Sequence, residues 1–214
     1  LKCEMCYAAV GTEIDKMNKQ KYKQLTQDEL KEIIIEAKEI GIPHVGISSE
    51  GDPMYDADCF FDLCQFIYAQ GLSLGVETNG LNINSENALK MASMGMIVIG
   101  KCHSLKPSIN DKLTGGAGLY RYESVGGQMV PSHIKFLIEA GIAEKNLFAL
   151  NTVVTRDNLD EIEHIWRWER DNKIIPNVEF MVPIGSAVSR ADLEISVEER
   201  IDLHKTIYLS LIHI

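Results

Sequence analysis

Residues 26–53 read TQDELKEIIIEAKEIGIPHVGISSEGDP, and the change of period inside this stretch decides the fold. Thr26 and Glu29 have the spacing of a capping box, in which each residue satisfies a backbone donor at a helix start. Leu30, Ile33, Ile34, Ala37 and Ile40 then recur at three- and four-residue steps and share one helical face. Gly41 and Pro43 stop the helix. The apolar run that follows, HVGISS (44–49), is too short for a helix and apolar on both faces, so it reads as a short buried strand. A polar, glycine-bearing turn, SEGDP (49–53), closes the unit.

The unit repeats along the chain. DADCFFDLCQFIYAQGL (56–72) is a helix before the strand SLGVET (73–78), and SENALKMASMG (85–95) a helix before MIVIGK (96–101). PSHIKFLIEAGI (131–142), with Pro131 suited to a first turn, precedes LFALNTVVT (147–155). NLDEIEHIWRWERDN (158–172), with Asn158 as its cap, precedes NVEFMVPIG (177–185). A second capping box, Ser196 to Glu199, opens the last helix. Units of roughly 25 to 30 residues are the rhythm of parallel strands joined by helical crossovers, an α/β sheet. Such sheets carry their chemistry at the carboxyl ends of the strands. Here those ends read SSEGDP, VETNG, GKCHS, NTVVTR and MVPIGSA. Loops after strands are polar in many proteins; five in succession, with a cysteine pair ahead of the first helix, favour one shared site.

Bulk properties narrow the function further. At 214 residues and 45% hydrophobic, the chain can bury a full core. A formal charge of −10 and the absence of a basic run argue against non-specific nucleic-acid binding, which rests on Lys and Arg. No apolar run approaches the roughly 20 residues that span a bilayer. Five cysteines, an odd number, speak against a secreted disulfide framework, so a cytoplasmic location without membrane attachment is expected. The first residue is Leu1, not Met, and the final LSLIHI (209–214) reads like a translated adapter. One domain fragment over 1–214, cut at both ends, is the expectation.

Cys3 and Cys6, in LKCEMCY, admit three readings. A thioredoxin-like dithiol needs the pair at the start of a helix, but the lysine-rich KMNKQKYKQ (16–24) separates it from the first clear helix. A zinc knuckle needs a second pair, whereas Cys59, Cys64 and Cys102 are scattered and read as core cysteines. The third reading is an iron–sulfur cluster held by thiolates. On that reading LKCEMCY resembles the tail of the Cys-x-x-x-Cys-x-x-Cys loop of the radical S-adenosylmethionine (SAM) superfamily. Cys3 and Cys6 match the second and third cysteines, the first falling upstream of Leu1. Met5 takes the place of the bulky residue before the last cysteine. SEGDP resembles the Gly-Gly-Glu-Pro segment that receives the SAM amino group, with Glu50 for a glycine and Asp52 for the glutamate. ETNG (77–80), GKCHSLKP (100–107) and EFMVPIG (179–185) resemble the later strand ends around the cofactor.

The resemblance implies a partial (β/α)6 TIM-like barrel whose first strand lies upstream. It also implies a 4Fe-4S cluster with one iron open to SAM. Reductive cleavage then gives a 5'-deoxyadenosyl radical that abstracts hydrogen from a peptide, protein or small metabolite. Flavodoxin or ferredoxin is the implied reductant. For the SAM ammonium the expected partners are Glu50, Asp52 and the backbone at Gly51 and Pro53. Glu77, Asn79, Lys101 and Ser104 are expected at the ribose or carboxylate, and Met181 near the adenine. Each has a plainer reading: Asn79 and Gly80 as a turn, Lys101 as a solvated lysine. Two other classes of protein stand beside this one, a non-catalytic zinc- or cluster-binding module and a TIM-barrel aldolase or isomerase.

Three features lie outside that scheme. NDKLTGGAGLYRYESVGG (110–127) reads as either a lid over substrate or a disordered connector. Trp166 and Trp168, two apart on a helix, cannot share a face, so one is expected in the core and the other partly exposed. His103 and His164 are expected to be structural.

Overall fold

Thr26 Oγ1 accepts from the Glu29 amide at 3.2 Å, and Glu29 Oε2 accepts from the Thr26 amide at 2.7 Å. That reciprocal pair starts α1 (Gln27–Glu39), as the capping box predicts. The structure is a computed structural model and describes residues 1–8, 16, 24–48 and 51–212, with side chains as far as Leu209. After α1 come β1 (His44–Ile47), α2 (Ala57–Ala69), β2 (Ser73–Glu77), α3 (Ser85–Ser93) and β3 (Ile97–Lys101). Then follow α4 (Pro107–Thr114), the hairpin β4 (Tyr122–Val125) and β5 (Gln128–Pro131), and α5 (Ser132–Glu139). The chain continues through β6 (Phe148–Val154), α6 (Ile162–Asp171), β7 (Ile175–Phe180) and α7 (Val197–Ile212). The main sheet has five strands in the order β1-β2-β3-β6-β7, and every pairing in it is parallel. This is the α/β architecture expected, a partial TIM-like barrel.

The register sorts side chains onto two faces, because successive residues of a strand point opposite ways. Leu74, Val76, Val98, Phe148, Leu150 and Val154 point to the outer face and join the main core, where helices α1, α2, α3, α5, α6 and α7 bury Ile34, Phe60, Met91, Ile134, Ile165 and Leu203. At ~2 kcal/mol for each fully buried large side chain, this face dominates the burial energy. The inner face is sparser: His44 and Gly46 of β1, Gly75 and Glu77 of β2, Ile99 and Lys101 of β3, Ala149 and Asn151 of β6, and Asn177 of β7.

Several local expectations are corrected. Among the described residues β1 is the outermost strand and His44 and Gly46 are exposed, where burial on both faces was expected. On α1 only Ile34 is buried, while Ile33 and Ile40 are exposed. Residues 110–127 are not a disordered connector. They finish α4 and enter an antiparallel hairpin, which Trp168 holds to α6 through an Nε1–H bond to the Val125 carbonyl at 3.1 Å. Both tryptophans are buried: Trp168 bonds to the hairpin, and the Arg170 guanidinium lies over the Trp166 ring at 4.4 Å. Asn158 does not cap α6. Its Oδ1 accepts from Thr155 N, and its Nδ2 donates to the carbonyls of His103 and Val153. Cys64 and Cys102 are core residues as expected, but Cys59 is exposed and takes a bond from Gln27 Nε2. His103 is buried and its Nδ1 accepts from Val153 N, a structural role.

Candidate active site

The end of α4 and the segment after β7 meet the amino-terminal segment. The cysteine loop is a tight turn, with the Cys6 amide donating to the Cys3 carbonyl at 3.2 Å. Met5, between the two thiols, is buried against Leu113 of α4 and against Met181, Ala187 and Leu193, which follow β7. The loop backbone is fixed from two sides: the Glu4 amide donates to Leu113 O, and the Ala187 amide donates to Cys6 O. Two glycines make the approach possible. Gly115 (φ 59°) and Gly185 (φ 60°) lie so close to the carbonyls of Lys2 and Tyr7 that any Cβ would overlap them.

Both thiols stay half-exposed at the mouth while Met5 is sunk below them. Burial, and then the neighbouring Cys6, raise the Cys3 pKa above its ordinary value, whereas the Lys101 ammonium pulls it back down. Lys101, at the end of β3, therefore lies within electrostatic reach of Cys3. Two thiols of this kind suit iron or zinc, and among the described residues no cluster of three or more His, Cys, Asp or Glu side chains is present.

Asp52 is the hub of the second loop. Its Oδ1 accepts from Met54 N at 2.9 Å, both of its oxygens lie within 3.0 Å of Thr78 Oγ1, and Oδ2 accepts from Asn79 N at 2.6 Å. The carboxylate thereby welds the turn after β1 to the turn after β2. Pro53 lies half-buried in that turn, and a Cβ at Gly51 would meet nothing within 4 Å. Ser49 and Glu50 lie outside the described residues. Asn79 forms a turn through Oδ1 to Leu81 N, and its carbonyl accepts from Tyr120 OH at 3.0 Å. Lys101 Nζ reaches Glu77 Oε1 at 2.7 Å on the inner face, with both side chains about one-third exposed.

The structure brings together Cys3, Cys6, Met5 and Met181, and on adjacent strand ends Asp52, Asn79, Glu77 and Lys101. It does not bring Ser104 to the opening: that residue is fully buried and its hydroxyl donates to Glu161 at 2.5 Å. Sequence reasoning missed Thr78, Tyr120 and Asn151. Asn151 shares the register of Lys101, and its Oδ1 is buried with no hydrogen-bond partner among the described residues. Its signal was a polar residue at an inner-face position of an otherwise apolar strand. An unmet amide beside an ammonium and a carboxylate fits a polar, nucleotide-like ligand.

A parallel α/β sheet with a thiol pair and polar anchors at one mouth defines a class of cofactor-using barrel proteins. The sequence narrows the class: residues 1–168 match the family model of the Radical SAM superfamily, and the chain belongs to that superfamily. It is 28% identical over 205 residues to an AdoMet-dependent heme synthase of Oleidesulfovibrio alaskensis, covering 93% of this chain and 47% of that protein. To the AdoMet-dependent heme synthase of Nitratidesulfovibrio vulgaris it is 29% identical over 181 residues, covering 82% of this chain and 45% of that protein. The chain therefore spans about half the length of these relatives. Streptococcus suis SuiB bound to S-adenosylmethionine shares the fold with a TM-score of 0.68 at 17% identity, over 99% of this chain and 45% of that one. SuiB bound to its precursor peptide SuiA gives 0.69 at 16% identity, over 99% of this chain and 44% of that one.

Proposed function

We propose that the chain is the catalytic core of a radical SAM enzyme, with Cys3 and Cys6 as two of the three thiolate ligands of a 4Fe-4S cluster. The observation that carries this reading is the Cys3–Cys6 turn packed against the end of α4 and the segment after β7, with Asp52, Asn79, Glu77 and Lys101 on adjacent strand ends. When bound, the cluster supplies the electron that cleaves SAM to methionine and a hydrogen-abstracting 5'-deoxyadenosyl group.

The chain's own residues bind and orient. Gly51 and the backbone around Pro53 leave room for the SAM ammonium, and Asp52 fixes that turn while adding negative charge. Lys101 is placed to meet the carboxylate of SAM, with Glu77, Asn79 and the unmet Asn151 amide offered to the ribose hydroxyls. Ser104 supports this wall from behind through Glu161. Met5 and Met181 keep the underside of the cysteine loop apolar and dry. The reading includes a cytoplasmic setting and a flavodoxin or ferredoxin as reductant; among the described residues no helix is long and apolar enough to cross a membrane. The substrate is a peptide, protein or small metabolite. The relatives' names put haem synthesis, and SuiB's bound SuiA puts peptide modification, first among the substrates to try.

The test is anaerobic reconstitution of the full-length protein with iron and sulfide, then SAM and dithionite. Formation of 5'-deoxyadenosine supports the reading. Stoichiometric zinc with no SAM cleavage favours a non-catalytic module instead.

A further inference from the structure

The segment Gly185–Leu193, which follows β7, does more than close the last unit. Its Ala187 amide holds Cys6 O, Ser186 Oγ donates to Ala8 O at 3.2 Å, and Leu193 lies beneath Met5. Arg190 then extends from a kink in this segment, where its backbone leaves helical geometry (φ −125°, ψ 37°), and forms an ion pair with Glu4. The same guanidinium takes Asp192 in a fork, Nε to Oδ1 and Nη2 to Oδ2, each at 3.0 Å. Glu4 is the residue between Cys3 and Met5. Its side chain thus ties the cysteine turn to an element more than 180 residues away in sequence.

We infer that Arg190 is a positioning residue for the cysteine pair, acting through Glu4. The inference rests on the reading of Cys3 and Cys6 as metal ligands, yet the strap exists in the chain whether or not metal is bound. The reason is mechanical and electrostatic. Backbone bonds to Leu113 and Ala187 and the packing of Met5 hold the turn's main chain and underside, but Glu4 is its one charged side chain held from across the chain. Arg190 holds the other end of Glu4 and, by gripping Asp192, is itself held in one rotamer. Without the guanidinium, the Glu4 carboxylate loses its tie to the segment after β7, and the turn samples open states more often.

A double-mutant cycle in the full-length protein tests this. In the metal-free form, alkylation of Cys3 and Cys6 is read by mass spectrometry against Cys59, an exposed thiol on α2. E4Q and R190Q are each expected to raise the Cys6-to-Cys59 ratio about 5-fold, and E4Q/R190Q by about the same factor, not by the product. D192N leaves the Glu4 pair in place and is expected within about 2-fold of wild type. In the reconstituted protein the same two single variants should bleach faster under chelator at an unchanged Tm. Singles indistinguishable from wild type, a multiplicative double, or D192N matching R190Q would each overturn the inference. A wild type that takes up no cluster would instead remove the proposed function, while the alkylation cycle still decides the strap.

Discussion

The two faces of the sheet obey different rules although the same strands build both. The outer face is a helix-covered layer in which Leu74, Val98, Phe148 and Leu150 show no exposed surface. The inner face is less fully buried among the described residues and carries Glu77, Lys101, Asn151 and Asn177 toward the strand ends. Stability resides in the first face, and on the proposed reading ligand binding belongs to the second. A parallel sheet buried on both sides would show apolar residues throughout; this one alternates because only one side is packed.

Substitutions on the two faces should separate these roles. Leu150→Ala on the outer face is expected to cost ~3 kcal/mol in urea unfolding, since it empties a fully buried site. Its effect on SAM affinity should be small wherever the protein remains folded. Asp52→Ala lies where the faces meet, and should cost ~2 kcal/mol because it strands the Thr78 hydroxyl and the Asn79 and Met54 amides. Unlike Leu150→Ala, it should also weaken SAM binding by ~10-fold or more, as followed by equilibrium dialysis.

Glu169 is the exception on the helix side and gives a third test. Both of its carboxyl oxygens are buried without a partner among the described residues, and burial holds its pKa well above the ordinary carboxylate value. The folded state therefore keeps the proton that the unfolded chain releases above about pH 4.5. Stability must fall as pH rises through that window toward the folded pKa. Glu169→Met is expected to stabilise by ~1 kcal/mol near neutral pH, with a smaller gain at pH 4 and a larger one at pH 8, in pH-resolved thermal melts. The smallest stability change belongs to Lys101→Met on the inner face. Its pair with Glu77 is partly solvated, so less than ~0.5 kcal/mol should be lost, while SAM affinity falls. A large stability loss from Lys101→Met, with SAM binding intact, would break the division between the faces.

Most of the architecture was legible because period and caps are local. Both capping boxes formed, at Thr26 and at Ser196, where the Ser196 amide donates to Glu199 Oε2 at 2.7 Å. The five parallel strands fell where apolar runs followed helices. The hairpin β4–β5 was not legible, because its signal, YESVGGQMVP, is short and its order depends on Trp168 and α5 from elsewhere in the chain. Asn158 was misread for a similar reason: as a cap it would bond forward along the helix, but His103, more than 50 residues earlier, offers it a buried carbonyl instead. At the site, Cys3, Cys6 and Asp52 could be read from motif spacing. Tyr120 and Arg190 could not, since their contacts with Asn79 and Glu4 form only when distant segments fold together, and Asn151 gave only the faint signal of a polar residue at an inner-face position.

Iron and acid-labile sulfide per chain, measured in the anaerobically reconstituted full-length protein and its C3S, C6S and C59S variants, test the central assignment most directly. About four of each are expected in wild type and in C59S, with severe loss in both C3S and C6S. Full iron and sulfide retained in C3S and C6S would contradict it.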